Sequence, residues 1–434
     1  MSSSSATDVR LSEPASAANA RGVLSVVVWS MIAVYLLIDT ISGALIHATG
    51  GVAPLSQLWK ALILLLLLFW WSVISARGTL ALLALLTAVL SGPVIRLFVS
   101  GDTGSSLEDA TGAIKVLLPA LTLSFCCAQR WQNERLFVSW TRRALWFCVA
   151  VMLLNVGVGL LGYGYTAYGV AESGGIGVTG FFYAGNEVGA TYVVLCAFAL
   201  VETWRRARRW YLLAALVAVA VGFLIATKSA ILGAMVLAFG LPIVSTLGGR
   251  ARLGWTLGSV LGLAVAGVAW AAFRFWTMLE QTGVASRLLA VFAERGWIGV
   301  IFSGRDRFVA RSLQGLWEHA STADIILGTG QSGLERWSGK LSTETDPIDL
   351  YFWFGMPGLI YCIALYTVFV FLPWRACANR ANSAAPGILL ANLLMIVLSI
   401  VGGHVILSGM VGIAWAMLTA YALVQDGRSD ASAH

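Results

Sequence analysis

The sequence predicts an all-α, polytopic membrane protein with about twelve transmembrane helices. Of its 434 residues, 59% are hydrophobic and only 11% are charged, whereas about a quarter of the residues in a soluble domain are charged. The net charge of +7 lies mostly in short connections between apolar runs. Basic connections of that kind indicate membrane topology rather than nucleic-acid binding.

Twelve apolar runs approach the roughly 20 residues that a transmembrane helix needs. The first begins at Val23, is too long for a signal peptide and lacks a small-residue cleavage site, so we expect a retained membrane anchor. Only "ATKS" separates the seventh run from the eighth, which predicts a helical hairpin. The predicted spans are 23–47, 56–75, 79–98, 112–128, 144–163, 184–203, 210–227, 229–245, 254–276, 350–372, 386–403 and 405–424.

Basic residues orient these spans. Arg77, the run "RRARR" at 205–209 and Arg375 lie in alternate connections, and the connections between them carry almost no positive charge. The positive-inside rule then places both termini in the cytoplasm. The long connection between spans nine and ten lies outside, and its amphipathic spacing predicts a helical cap. The predicted regions are a disordered cytoplasmic N-terminus at 1–22, spans one to nine at 23–276, the cap at 277–347, spans ten to twelve at 348–424 and a cytoplasmic tail at 425–434.

Positively charged side chains gather in the predicted outer half of the membrane and in the cap. Charges inside or beside spans are costly and usually face a cavity. The guanidinium of arginine can donate two parallel hydrogen bonds to phosphate oxygens, whereas lysine supplies a point charge. The sequence therefore predicts an electropositive chamber suited to a membrane-embedded polyanion such as a lipid diphosphate. Its predicted cations are Arg96, Lys115, Lys228 and Arg274 in the spans, with Arg287, Arg295, Arg305, Arg307 and Arg311 in the cap.

Several of these residues also have a purely structural interpretation. For Arg96 and Arg274, snorkelling to lipid headgroups at span ends is an equally good interpretation. Lys228 lies in a turn too short to be a loose surface loop, which favours a cavity. Arg305 is followed by an acidic residue that could simply pair with it. Asn186, at the outer mouth of the sixth span, suits a helix cap as well as it suits a substrate contact.

Three carboxylates precede or open the tenth span, in the stretch "STETDPIDLYF". Pro347 suits the first turn of a helix, which would make Asp346 its N-cap. Asp346 and Asp349 are three residues apart and share a helix face, and one carboxylate suffices for the cap. A second carboxylate beside a cationic chamber can act as a general base toward a hydroxyl. Glu344 is the third candidate.

The sequence lacks the motifs of several other enzyme classes. It contains no glycine-rich phosphate loop, no HExxH zinc motif, no nucleophile elbow and no dinucleotide fingerprint. Single histidines are more often structural than catalytic, which gives a low rank to the outer-side residues His319 and His404.

Five motifs follow one another between about residues 180 and 362. They are "GFFYAGNEVGA", "LIATKSAILGAMV", "FSGRDRFV", "ILGTGQSG" and "ETDPIDLYFWFGMPGLI". In this order they resemble the O-antigen polymerase and O-antigen ligase superfamily, integral membrane enzymes that act on polyprenyl-diphosphate-linked glycans. The resemblance implies a GT-C-like fold with a large external loop between helices 9 and 10.

The same resemblance implies a reaction. A glycan would pass from its lipid diphosphate carrier to an acceptor hydroxyl with inversion, without metal or cofactor, at the outer face of the bacterial inner membrane. The basic residues of the turn and of the Ser-Gly-Arg motif, here Lys228 and Arg305, would hold the diphosphate. The implied partners are the lipid-linked donor, the glycan acceptor, and a flippase and chain-length regulator of the same pathway.

Two departures from the family pattern bear on the function. The turn carries Lys228 where arginine is common, so bidentate binding is lost there. Many members, the ligases especially, have a histidine before the tenth span, whereas "DPID" stands there in this chain. The base role would pass to Asp346 or Asp349, which favours a polymerase of O-antigen or exopolysaccharide. The alternatives are a ligase acting on lipid A-core or another acceptor, and a non-enzymatic transporter of lipid or sugar.

Overall fold

The structure is a computed structural model of the chain, and most of what it describes is α-helical. It describes residues 15–100, 103–168, 176–246, 304–379 and 382–424, together with 292–294, 296, 297, 299 and 302. The ninth predicted span at 254–276 lies outside these residues. Three predicted cations lie outside them too, namely Arg274, Arg287 and Arg295.

Long helices succeed one another along the chain, with three short ones before the tenth predicted span. The helices are α1 Ala15–Thr49, α2 Leu55–Ile74, α3 Ala76–Ser100, α4 Thr103–Gln132, α5 Glu134–Leu160, α6 Gly185–Arg206, α7 Tyr211–Ile225, α8 Lys228–Thr246, α9 Arg305–His319, α10 Thr322–Leu327, α11 Gly330–Ser338, α12 Asp346–Ala376, α13 Ala385–Val401 and α14 Gly409–Tyr421. The amphipathic stretch that predicts a helix in the cap forms α9.

Nine helices of the described part of the chain are long and apolar enough to cross a membrane. This confirms the prediction of a polytopic α-helical membrane protein, while the count of twelve spans stays a prediction. Helices α13 and α14 are apolar but have only 17 and 13 residues. They are shorter than the predicted spans because residues 402–408 form a non-helical loop between them.

Helix α14 occupies the centre of the bundle. All of its residues from Gly409 to Tyr421 are buried, and it packs against α4, α5, α6, α12 and α13. Ser408 caps its first turn, since the Ser408 hydroxyl accepts a hydrogen bond from the Val411 amide at 3.3 Å. A helix surrounded by other helices needs no lipid-facing surface, which is consistent with its uniformly apolar sequence.

A small β-hairpin lies between α5 and α6, in the glycine-rich segment. Strands β1 (Tyr165–Tyr168) and β2 (Ile176–Gly180) pair antiparallel. Gly177 has a φ of +77°, and a methyl group there would lie 2.4 Å from the Ile225 carbonyl oxygen. The hairpin therefore packs directly on the turn between α7 and α8, and only glycine fits at that contact.

Helix α6 connects two chemically different ends of the bundle. Its 22 residues span about 33 Å, close to the thickness of a bilayer hydrocarbon core. We call the end with the β-hairpin, the α7–α8 turn and the 402–408 loop the hairpin end. The opposite end carries Arg142, Arg205 and Arg206, which surround Glu202, and we call it the arginine end. Which end faces the cell exterior stays a prediction.

Candidate functional site

Five helices begin close together at the hairpin end: α6, α8, α9, α12 and α14. Helix α6 touches the α7–α8 turn so closely that a methyl group on Gly189 would lie 2.2 Å from Thr227 Oγ1. Glu187 in the first turn of α6 accepts a hydrogen bond from Ser408, the cap of α14. The first amides of a helix have no partners within that helix and form its positive end. Several such ends in one place favour a bound anion.

The two cations that the motifs single out lie at the starts of two of these helices. Lys228 opens α8 and is exposed, and its charge interacts with that of Arg305 at the start of α9. Thr227 helps to fix this start, because its Oγ1 accepts a hydrogen bond from the Ala230 amide at 3.2 Å. The chain thus brings together two cations that are 77 residues apart in sequence, from 228 to 305.

Arg305 and Glu344 form the central ion pair of this site. Both Nε and Nη2 of Arg305 approach Oε2 of Glu344, at 2.9 and 2.8 Å. Nη1 of Arg305 also donates to the Val401 carbonyl oxygen at 3.4 Å, and the other carboxylate oxygen of Glu344 pairs with Lys340 at 3.4 Å. The side chain of Glu344 keeps 26% of its surface exposed. Solvent, or a ligand in its place, can therefore reach the pair.

The charges around Glu344 govern its protonation. Burial alone would raise the pKa of Glu344, but the charge and hydrogen bonds of Arg305, assisted by His404 and Lys340, hold the pKa below its ordinary value. A carboxylate with a lowered pKa is ionised at neutral pH and is a weaker proton acceptor.

Asp346 and Asp349 are fully buried and stabilise two loops. Oδ2 of Asp346 accepts hydrogen bonds from the Ser399 hydroxyl and from the amides of Val405 and Ile406, the latter two at 2.9 and 2.8 Å. Asp349 accepts hydrogen bonds from the connection that precedes α12. Its donors are the Ser342 hydroxyl, the amide and hydroxyl of Thr343 and the Thr345 amide.

These contacts change the interpretation of the predicted acids. Thr345, not Asp346, is the N-cap of α12. A general base must come within hydrogen-bond distance of the substrate hydroxyl, and neither buried aspartate is exposed to do so. We therefore assign Asp346 and Asp349 to holding the 402–408 loop and the 339–345 connection in place. Of the three predicted carboxylates, Glu344 is the one that reaches the surface of the site.

Strained backbone is concentrated at the same place. The non-glycine residues with positive φ in the described part of the chain are Ala226 (60°), Glu344 (62°) and His404 (58°). Ala226 ends α7 just before Lys228, Glu344 pairs with Arg305, and His404 lies in the 402–408 loop. Each such conformation costs about 1–3 kcal/mol and typically persists at functional sites. The backbone thus marks this cluster independently of its charges.

Arg96, a predicted cation of the chamber, holds the cap region onto the bundle. Pro357 has no amide hydrogen, so the Trp353 carbonyl one turn earlier in α12 has no helical donor. Nη2 of Arg96 donates to that oxygen at 3.0 Å and pairs with Asp109 at 2.7 Å. Its Nη1 donates to the Gly328 carbonyl oxygen at 2.7 Å. The guanidinium therefore points inward and does not snorkel to headgroups.

The other predicted ligands lie outside the Arg305–Glu344 pair. Arg307 pairs with Glu294 on an exposed surface. Lys115 is half-buried on α4 and has no ion-pair partner among the described residues. Asn186 lies within the first turn of α6, where Ala184 is the N-cap. The prediction of Asn186 as a helix cap is therefore wrong, and a substrate contact stays a prediction.

No protein-family model matches the sequence, and no curated protein matches it. The relationship to the O-antigen polymerases and ligases therefore stays a proposal based on the five motifs. Four of these motifs meet at the hairpin end, through Asn186, Lys228, Arg305 and Glu344. The fifth, "ILGTGQSG", forms the α10–α11 junction that binds Arg96.

Proposed function

We propose that this protein is a membrane glycosyltransferase that polymerises lipid-diphosphate-linked oligosaccharide units into O-antigen or exopolysaccharide at the outer face of the bacterial inner membrane. The observation that carries this proposal is the meeting of Lys228, Arg305 and Glu344 at the starts of three helices. Strained backbone in the segments around these residues supports a functional rather than a purely structural role.

The diphosphate of the donor would bind between Lys228 and Arg305. A diphosphate carries more negative charge than a carboxylate and can accept two hydrogen bonds from one guanidinium. It would therefore compete with Glu344 for Arg305. The positive ends of α6, α8 and α9 add to the attraction. Because negative charge grows on the departing diphosphate, these fixed positive groups would stabilise the transition state more than the ground state.

Substitutions of the two cations test this proposal. We expect Arg305→Ala and Lys228→Ala to abolish the ladder of polymer lengths on a gel of surface polysaccharide. Arg305→Lys should also give no ladder, because lysine keeps the charge but cannot form two parallel hydrogen bonds to the diphosphate. Lys228→Arg should keep the ladder, because arginine supplies both the charge and those bonds. Arg336 on α11 is exposed and provides the matched control, so Arg336→Ala should give normal ladders.

The amount of each variant in the membrane must be measured beside the ladder, by immunoblot of washed membranes. Normal ladders from both alanine variants would refute the diphosphate role. A deletion strain that accumulates long polymer on its carrier would instead indicate a ligase, because polymerisation would then occur without this protein. Movement of a lipid-linked glycan across liposomes without lengthening would indicate a transporter.

A further inference from the structure

We propose that His404 takes the proton from the acceptor hydroxyl and that Asp346 is a positioning residue that holds the loop bearing His404. This inference rests on the proposed glycosyl transfer and assigns the proton acceptor within the same site. It also replaces the sequence-based assignment of that role to an aspartate.

The carboxylates of the site are engaged in other interactions. Asp346 and Asp349 have no exposed surface and accept hydrogen bonds from two loops. Glu344 is held by Arg305 on one oxygen and by Lys340 on the other. A proton acceptor must present a free lone pair to the hydroxyl. Among these three acids, only Glu344 reaches the surface, and Arg305 holds its pKa below the ordinary value, which makes it a weak proton acceptor.

The imidazole of His404 meets this requirement without rearrangement. The side chain is half-buried, and no residue of the described ranges forms a hydrogen bond with it. Its charge interacts with those of Glu344 and Asp346, so it lies at the Arg305–Glu344 pair. Imidazole is the commonest general base in enzymes because it titrates near neutral pH.

The backbone of His404 is fixed on both sides. Gly403 packs against Glu344 so closely that a methyl group there would lie 2.2 Å from the Glu344 carbonyl oxygen. On the other side, Asp346 Oδ2 binds the amides of Val405 and Ile406. A left-handed φ of 58° at a non-glycine residue persists only when its surroundings force it. Asp346 supplies that constraint, which explains a buried acid whose other oxygen, Oδ1, has no hydrogen-bond partner within the described ranges.

The proposed transfer forms one bond at the anomeric carbon and breaks another. The oxygen of the acceptor hydroxyl bonds to the anomeric carbon of the donor glycan while the bond from that carbon to the diphosphate oxygen breaks. The electron pair of the broken bond leaves with the polyprenyl diphosphate, whose charge Lys228 and Arg305 hold. The hydroxyl proton passes to a ring nitrogen of His404, and the imidazolium later releases it to water. Glu344 and Asp346 stabilise the imidazolium.

The test uses the purified full-length protein in liposomes with a lipid-diphosphate-linked repeat unit from the producing strain. Transfer and donor binding are measured separately for His404→Asn, Arg305→Ala and Glu344→Gln. We expect His404→Asn to lower kcat by about 100-fold or more and to leave donor binding intact, whereas Arg305→Ala loses donor binding. His319 is exposed at the end of α9, so His319→Ala is the matched control and keeps full turnover.

The dependence of rate on pH gives a second readout. The charged groups that interact with the imidazole are Glu344, just before α12, and Asp346, its first residue. Glu344 in turn pairs with Arg305 on α9 and with Lys340. We expect kcat of the wild type to rise with pH, as it does when a general base must be unprotonated, and His404→Asn to remove that rise. Ser399→Ala deletes one hydrogen bond to Asp346, and we expect it to lower kcat while retaining the rise and the KM for donor.

The outcomes separate the inference from the proposed function. If His404→Asn turns over normally with an unchanged pH profile while Arg305→Ala is inactive, His404 is not the base and the transferase assignment survives. If kcat falls in Glu344→Gln while His404→Asn keeps normal turnover, the base is Glu344 and the inference is overturned. If Arg305→Ala also transfers normally, the proposed function itself fails.

Discussion

Each end of the bundle gathers basic side chains around a carboxylate, but the two carboxylates differ in how much of their surface is exposed. At the arginine end, Glu202 is only 2% exposed and pairs with Arg142, Arg205 and Arg206 at 2.8, 3.0 and 3.1 Å. The Tyr421 hydroxyl also donates to Glu202, at 2.8 Å. These contacts tie α5, α6 and α14 together. Every group in the cluster serves the packing of helices.

At the hairpin end the carboxylate is more open to solvent than Glu202 is. Arg305 is 14% and Glu344 is 26% exposed, and each is reachable from outside the bundle. The exposed cation Lys228 lies beside them. The positive-φ residues Ala226, Glu344 and His404 lie here, and the described part of the arginine end has none. Charge clusters alone therefore do not mark a site, whereas an exposed carboxylate combined with backbone strain does.

Breaking the arginine end should have the largest effect on stability. Glu202→Gln leaves three guanidiniums without their shared carboxylate. We expect the free energy of unfolding to fall by about 3 kcal/mol, at the low end for a broken buried pair because Arg142 and Arg206 are partly exposed. Unfolding of the detergent-solubilised protein measures this, with Arg336→Ala as the control.

The transfer activity of the folded Glu202→Gln protein should equal that of the wild type. Loss of transfer without loss of stability would place the arginine end in the functional machinery and remove the distinction between the two ends.

A smaller effect should follow from removing the carboxylate that competes for Arg305. Glu344→Gln keeps the side-chain shape but no longer neutralises the guanidinium, so the donor diphosphate meets less competition. Partly exposed ion pairs contribute about 0.2–1 kcal/mol, and we expect the KM for donor to fall by about two- to fivefold. Steady-state transfer at fixed acceptor measures it. An unchanged or higher KM would show that Glu344 does not share the diphosphate site.

The sequence predicts the membrane fold well because hydropathy is a local property. Most of the predicted spans coincide with observed helices within a few residues. The prediction fails at the 402–408 loop, because predicted span eleven extends to 403 and predicted span twelve begins at 405. Val405, Ile406 and Leu407 are apolar and buried, so their hydropathy is that of a helix. The backbone amides of Val405 and Ile406 instead donate hydrogen bonds to Asp346, and no local sequence pattern predicts those bonds.

The sequence predicts the cations of the candidate site. It does not predict which of the acids bind loops, or that His404 lies at the site. Lys228 and Arg305 are conspicuous because charge is costly in apolar surroundings. The partners of Asp346 lie 53 to 60 residues further along the chain, and those of Arg96 lie as many as 257 residues away. A carboxylate that caps a distant loop and one that contacts substrate have the same local sequence signature. Contacts at that range decide between the two roles.

The smallest predicted effect is a dependence of stability on pH that arises from Glu344 at the hairpin end. Arg305, with His404 and Lys340, holds the pKa of Glu344 below its ordinary value of 4.5 against the opposing effect of burial. A depressed pKa stabilises the folded state above the ordinary pKa, and that contribution is lost as pH falls through the lower folded value. The Tm difference between wild type and Glu344→Gln should therefore be constant near neutral pH and shrink below about pH 4.5. Scanning calorimetry in detergent measures this Tm difference. A Tm difference that persists at low pH would mean that Arg305 does not stabilise ionised Glu344. Glu202→Gln serves as the comparison from the arginine end, because deleting that carboxylate removes a different ion pair and leaves the acid response of Glu344 intact.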